Sequence, residues 1–143
     1  MNKFLEVHRD SLLISTDPAR LDLDVICDFL SRAYWAQGRP RERIELSLQN
    51  SLVFGVYERR RQIGLARVVT DYATFVWLCD VFVDERYRGH GIGKWLMATI
   101  LSHPDLQGLR RFLLATRDAH GLYAQFGFTP LGSPERWMER SAA

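Results

Sequence analysis

The sequence has few cysteines and no long apolar segment. Cys27 and Cys79 are its two cysteines, and each lies in an apolar stretch, which favours buried free thiols over a disulfide framework. No apolar run approaches the roughly 20 residues of a membrane span. Charged residues also appear too early near the start for the core of a secretion signal. We therefore expect a cytoplasmic protein that does not associate with membranes.

Lysine is also scarce, since Lys3 and Lys94 are the only lysines. The 19 basic and 17 acidic residues leave a net charge of +2 and are dispersed along the chain. A nucleic-acid-binding surface needs clustered basic residues, so no nucleic-acid partner is expected. The longest basic run, residues 59–61, lies at a predicted hairpin tip and is interpreted as a solvated turn.

The 143 residues are enough for one domain with its own core, and 47% of them are hydrophobic. Repeats, low-complexity segments and linkers are absent from the sequence, so residues 1–143 are predicted to form a single domain.

Apolar periodicity predicts a mixed α/β chain. Patterns typical of helices cover four segments: from Pro18 towards Gly38, 41–48, 93–102 and 119–126. Patterns typical of strands cover seven segments: 12–15, 51–58, 62–70, 74–83, 111–115, 128–131 and 137–139. The three strands between residues 51 and 83 are consecutive and closely spaced, so we expect them to be adjacent and antiparallel.

A glycine-rich turn follows the strand that ends near Val83 and precedes the helix that starts at Gly93. The turn reads Arg88-Gly-His-Gly-Ile-Gly93-Lys94. A helix begins with unpaired backbone N–H groups and the positive end of its dipole, and glycines allow an anion to approach the main chain closely. The turn is therefore predicted to bind an anion, with Arg88 or Lys94 adding charge.

Two common phosphate-binding loops do not fit this turn. A P-loop requires four residues between its glycines and a serine or threonine after the lysine, whereas Trp95 follows Lys94. The dinucleotide-binding spacing Gly-x-Gly-x-x-Gly is also absent here. Nucleotide hydrolysis and hydride transfer both lose support.

The turn resembles the acyl-CoA signature of the GNAT (Gcn5-related) N-acetyltransferases, Gln/Arg-x-x-Gly-x-Gly/Ala, at Arg88, Gly91 and Gly93. Arg61, Gly64 and Ala66 match the same pattern, but no helix follows them. A second segment, with Tyr123, Gly127 and Phe128, resembles the family's Leu-Tyr-x-x-x-Gly-Phe. The two motifs occur in the family's order with a strand between them.

This resemblance implies a GNAT-like fold: a mostly antiparallel twisted sheet of six to seven strands, about four flanking helices and a splayed parallel pair at the acyl-CoA site. It also implies transfer of an acetyl group from acetyl-CoA to a primary amine of a small molecule or protein by direct attack, without a metal. The alternative is a non-catalytic acyl-CoA-binding module. The implied cofactor-binding residues are Phe82, Val83, Arg88, Gly89, His90, Gly91, Ile92, Gly93 and Lys94.

Acetyl transfer poses two proton-transfer problems. The departing CoA thiolate needs a proton, and a phenol such as Tyr123 remains protonated at pH 7, which is the family role of the matching tyrosine. The amine must lose a proton, and Asp80, a carboxylate in an apolar strand, is the first candidate base. His120 or ordered water are alternatives, and Asp80 is equally compatible with simply accepting hydrogen bonds from the backbone or from arginine.

The acceptor side is expected to involve Tyr34 and Trp35, because the resembled family places the segment between its first two helices there. Core packing or a homodimer contact explains these aromatic residues nearly as well. Asp118 is interpreted as the N-cap of the helix that carries Tyr123. The family's usual asparagine before this helix is absent, so Thr116 or Asp118 are candidates for its pantetheine contact.

Overall fold

A computed structural model describes residues 3–142, and its strands form one six-stranded sheet. The strands follow chain order across the sheet: β1 (Glu6–Arg9), β2 (Leu12–Ser15), β3 (Leu52–Glu58), β4 (Arg61–Thr70), β5 (Phe75–Val83) and β6 (Arg111–Leu114). The helices are α1 (Leu23–Ser31), α2 (Arg41–Gln49), α3 (Ile92–Ser102) and α4 (His120–Ala124). Both counts agree with the predicted fold class.

Strands β1 to β5 pair antiparallel, and β5 and β6 pair parallel. The predicted hairpin is confirmed, because β3 ends at Glu58 and β4 begins at Arg61, so Arg59 and Arg60 form its tip. Connection of β5 to β6 through α3 allows the parallel pairing, since parallel neighbours need a long crossover. The predicted mostly antiparallel sheet with one parallel pair is confirmed.

The parallel pair separates halfway along β5. Strand β6 pairs with β5 from Phe75 to Leu78, and β5 continues to Val83 without that partner. At the same point β5 has a bulge against β4, because Arg67 pairs with Cys79 while Leu65 pairs with Phe82. Bulges redirect side chains and are common beside functional sites. Because β6 leaves β5 after Leu78, a cleft opens between the two strands at this point.

Two apolar clusters hold helices to the sheet. One cluster contains Ile92, Leu96 and Ile100 of α3, together with buried strand residues such as Phe54 and Val76. The other contains residues of α1 and α2 packed on strand residues: Ile26, Leu30, Ile44, Val53 and Leu65. Among residues 3–142, no helix is long and apolar enough to cross a membrane.

The predicted start of the first helix was wrong. Pro18 begins a single 3-10 turn that ends at Arg20, because Leu21 is extended (φ −66°, ψ 133°). Helix α1 begins instead after Asp22, whose carboxylate accepts the N–H of Val25 at 3.2 Å. Aspartate at an N-cap provides a partner for an unpaired helix N–H.

The predicted strands at 128–131 and 137–139 were also wrong, since neither segment pairs with the sheet. Gly127 has a positive φ of 89°, and Pro130 and Pro134 lack a backbone N–H. These residues interrupt strand pairing. Conversely, β1 was not predicted from the sequence.

Candidate functional site

A cleft of about 650 Å³ lies where β5 and β6 diverge. Its walls come from β5, from the loop between α1 and α2, from the turn before α3 and from α4. Residues from these four parts include Asp80, Tyr34, Arg88 and Tyr123. The topology therefore brings together residues that lie almost ninety positions apart in the chain.

The glycine turn borders this cleft through Arg88 and Gly93. Gly89 and Gly91 have positive φ angles of 82° and 75°, which glycine adopts without the steric cost of a Cβ. The first intrahelical bond of α3 joins the Trp95 N–H to the Gly91 carbonyl at 3.0 Å, and no side chain caps the helix. The N–H groups of residues 92–94 thus have no partner within residues 3–142.

Arg9 of β1 braces the turn. Its Nη2 donates to the carbonyl oxygen of His90 at 3.1 Å, and its guanidinium lies 4.7 Å from the centre of the Trp95 ring. A hydrogen bond and a cation–π contact to residues on both sides of Gly91 restrict the turn's movement.

Tyr123 projects from α4 and is 8% exposed. Burial raises the pKa of its phenol, and nearby Tyr34 adds to the shift. Its ring meets Phe128 edge-on, with centroids 5.9 Å apart, and its hydroxyl makes no hydrogen bond to any residue from 3 to 142. The phenol therefore stays protonated at neutral pH and is available to a ligand in the cleft.

Asp80 lies at the bulge in β5 with a positive φ of 50°. Its Oδ2 accepts from Arg67 Nε at 2.8 Å and from Arg39 Nη1 at 2.9 Å, and its Oδ1 accepts from Trp35 Nε1 at 2.8 Å. Burial alone would raise the pKa of Asp80, but hydrogen bonds from the two arginines outweigh it and lower the pKa. The carboxylate is ionised and fully engaged.

The loop between α1 and α2 is also joined to the strand end beyond β6. The hydroxyl of Tyr34 accepts the backbone N–H of Arg117 at 2.9 Å, and the Arg117 guanidinium stacks 3.8 Å from the ring centre. With the Trp35 contact to Asp80, this loop bridges both sides of the cleft.

Residues 49–130 match the family described as "Acetyltransferase (GNAT) domain". A protein of Gibberella zeae named as an acetyltransferase is 33% identical, over 82% of this chain and 78% of its own length. The chain belongs to the GNAT acetyltransferase family. The resemblance seen in the two sequence motifs is thereby confirmed.

Solved acetyltransferase structures share the architecture. A crystal structure of a GNAT protein from Xanthomonas campestris pv. campestris is 48% identical, covers 92% of this chain and 93% of its own, and has a TM-score of 0.89. An acetyltransferase of Clostridium acetobutylicum, crystallised with acetyl-CoA, has a TM-score of 0.64 at 12% identity over 99% of this chain and 96% of its own. At that identity the likeness shows the fold alone.

Most of the predicted site residues line the GNAT cleft: Tyr34, Trp35, Asp80, Phe82, Val83, Arg88, Gly93 and Tyr123. The others form the turn between Arg88 and Gly93 or follow it, and they are Gly89, His90, Gly91, Ile92 and Lys94. The Ile92 side chain is 3% exposed and belongs to the core, so only its backbone is available to a ligand.

Two minor predictions around α4 have different outcomes. Asp118 lines the cleft but does not cap the helix, because Thr116 Oγ1 accepts the N–H of Ala119 at 3.0 Å. The N-cap interpretation was therefore wrong. His120 is exposed and is not among the residues lining the cleft.

Sequence reasoning missed Arg9, Arg39 and Arg67. These arginines come from β1, the α1–α2 loop and β4, and no motif includes them. One signal was present for the last two, since a carboxylate predicted inside an apolar strand requires cationic partners. The sequence did not indicate which arginines these are.

Proposed function

We propose that this GNAT chain transfers an acetyl group from acetyl-CoA to a primary amine by direct attack of the amine on the thioester. The observation that carries the proposal is the junction of an open helix N-terminus with a buried, unpaired phenol in one cleft. A turn alone would suit any anion, and a phenol alone would suit many sites. Together they match the two ends of a CoA thioester.

The turn from Arg88 to Lys94 is the proposed pyrophosphate site. Unpaired N–H groups at the start of α3 and the helix dipole favour a negative charge there. Arg88 donates through Nε to the carbonyl of Val83 at 3.1 Å, so its side chain lies against the end of β5. The edge of β5 beyond Leu78, where β6 no longer pairs with it, would then contact the pantetheine arm near Phe82 and Val83.

In the transfer step the amine nitrogen bonds to the acetyl carbon and the carbon–sulfur bond breaks. One proton leaves the nitrogen and one reaches the sulfur, so the reaction is balanced without another reactant. We assign the second proton to Tyr123, because burial raises the pKa of its phenol and keeps it protonated. Solvent afterwards returns the proton to Tyr123.

Asp80 as the acceptor of the amine proton stays a prediction. Arg39 and Arg67 lower its pKa, which makes the carboxylate a weaker base. The same contacts support the alternative role, in which Asp80 holds the acceptor loop and the amine loses its proton to water. Separate kcat and KM values for Asp80→Asn distinguish these roles, because loss of a base lowers kcat at saturating amine, whereas displacement of the acceptor loop raises KM for the amine.

Acetyl-CoA binding is tested by thermal unfolding. A ligand at 100 times its Kd stabilises the folded state by about 2.7 kcal/mol, so the wild-type Tm should rise clearly. Gly91→Glu should abolish that rise, because the new carboxylate lies in the anion site. Gly108→Glu is the matched control: Gly108 has a similar φ of 73° and equally open surroundings but lies away from the cleft.

An absence of stabilisation of the wild type by acetyl-CoA, propionyl-CoA and free CoA would refute the proposed cofactor site. Equal loss of the shift in both glutamate variants would attribute the effect to backbone strain. A screen of varied amines for thiol release from acetyl-CoA then identifies acceptors. Binding without release for every amine would contradict the proposed transfer.

A further inference from the structure

The cleft is lined by more positive than negative charge. Two of its lining residues are acidic, Asp80 and Asp118, and four are arginines: Arg32, Arg39, Arg67 and Arg88. Arg32 has an aspartate of its own, since it pairs with Asp28 at 3.0 Å, and Asp118 is already paired at 3.6 Å with Arg117, which does not line the cleft. The unbalanced charge lies on the remaining three.

One positive charge remains beside Asp80. The single negative charge of the Asp80 carboxylate pairs with two positive guanidinium groups, those of Arg39 and Arg67. Arg67 is 12% exposed and also donates to Ser51 Oγ at 3.3 Å. Arg39 is 25% exposed, and Nη1 is the only one of its donors bonded to a residue within 3–142. Its Nε and Nη2 are free for a ligand.

This charge is separate from the proposed pyrophosphate site. Arg39 contacts Asp80, whereas Arg88 contacts the carbonyl of Val83. The two points are three residues apart on β5, which corresponds to about 10 Å of strand. The two arginines are therefore held at different positions along β5.

The walls near Arg39 are aromatic. Tyr34, Trp35 and Trp77 line the same cleft and each keeps a large part of its surface exposed. Aromatic faces bind apolar groups, while a guanidinium fork binds a carboxylate through two parallel hydrogen bonds. An amine that carries both a carboxylate and an apolar group satisfies both features.

We propose that the acetyl acceptor is an amino acid with an apolar side chain and that Arg39 binds its carboxylate. This inference rests on the proposed acetyl transfer and names the acceptor for it. Polyamines and lysine-rich peptides would bring further positive charge to a site that already has an excess, and like charges disfavour such binding. Selectivity thus comes from Arg39, and the aromatic residues accept the side chain.

The test compares phenylalanine with phenylalaninamide, spermidine and phosphoethanolamine as acceptors, measured by thiol release from acetyl-CoA. We expect kcat/KM to favour phenylalanine over its amide by about tenfold or more, since charge-assisted hydrogen bonds contribute over 1.4 kcal/mol. Arg39→Gln should remove this preference by raising KM for phenylalanine more than KM for the amide. Arg43→Gln, at an exposed α2 arginine, is the matched control for net charge.

A binding measurement covers the case in which turnover or folding of the variant fails. Calorimetry on the wild type compares N-acetylphenylalanine with its carboxamide, with and without CoA. Tighter binding of the carboxylate supports the inference even if no amine is acetylated, in which case only the proposed transfer fails. Equal binding of the two, or a preference for spermidine or phosphoethanolamine as acceptor, would overturn it while leaving acetyl transfer in place.

Discussion

Trp35 Nε1 donates a hydrogen bond of 2.8 Å to Asp80 Oδ1. Trp35 was predicted to contact the acceptor and Asp80 to act as a base, and the two side chains are hydrogen-bonded to each other. The bond ties the α1–α2 loop to the bulge in β5, and Arg39 of the same loop strengthens the connection through Oδ2. This wall of the cleft, the proposed acceptor side, is therefore positioned by one buried carboxylate.

Asp80→Asn should reduce the free energy of unfolding by about 3 kcal/mol, because it leaves two largely buried guanidinium groups without their anion. Asparagine tolerates the positive φ of Asp80, so the change isolates charge from backbone strain. Urea denaturation monitored by tryptophan fluorescence measures the loss. An unchanged midpoint would show that water compensates both arginines.

The same variant should alter the response to acid. Asp80 has a folded-state pKa below its ordinary value of about 3.9, so its stabilisation is present above that pH and is lost as the pH falls through the folded-state pKa. Unfolding curves at several pH values below 5 should show the wild type approaching Asp80→Asn. Parallel curves would contradict the ion-pair assignment.

Tyr123→Phe should slow acetyl transfer by about 100-fold or more, the usual contribution of a positioned general acid. The ring keeps its edge-on contact with Phe128, and the hydroxyl has no partner within residues 3–142, so the Tm should change little. Single-turnover thiol release, together with CoA calorimetry, measures the two effects. A wild-type rate would remove Tyr123 as the proton donor.

Arg9→Ala should weaken acetyl-CoA binding by about fivefold, because a hydrogen bond to the turn contributes roughly 1 kcal/mol. Calorimetric titration with acetyl-CoA gives the Kd. Arg60→Ala, at the exposed hairpin tip, removes the same charge without touching the turn. If both variants lose affinity equally, long-range attraction and not bracing of the turn accounts for the effect.

Protonation of His103 should lower the free energy of unfolding as the pH falls below neutral. Burial lowers the pKa of its imidazole despite nearby Asp105, and Nδ1 accepts the Asp105 N–H at 3.1 Å. A lowered folded-state pKa means that stability is full above about pH 6.5 and declines as the pH falls. His103→Asn retains an acceptor without titrating, so its unfolding free energy should change less between pH 7 and 5.

Sequence patterns identified most strands, the helices and the glycine turn, because apolar periodicity and glycine placement are local properties. The predicted strands near the C-terminus failed where Gly127 and two prolines opposed pairing. Strand β1 was missed although it pairs fully with β2. Its stability comes from that neighbour, and short strands have weak patterns of their own.

The sequence by itself determined the residues of the proposed donor half of the site, since Arg88, Gly91, Gly93 and Tyr123 lie in two short motifs with fixed spacing. Only the tertiary structure decided which residues meet in the proposed acceptor half. Arg39 contacts Asp80 although the two lie 41 positions apart in the sequence, and Arg67 contacts it from 13 positions away. Buried charges pair according to their distance in space and not their spacing along the chain. These contacts with Asp80 therefore depend on the bulge in β5 and on the packing of the α1–α2 loop.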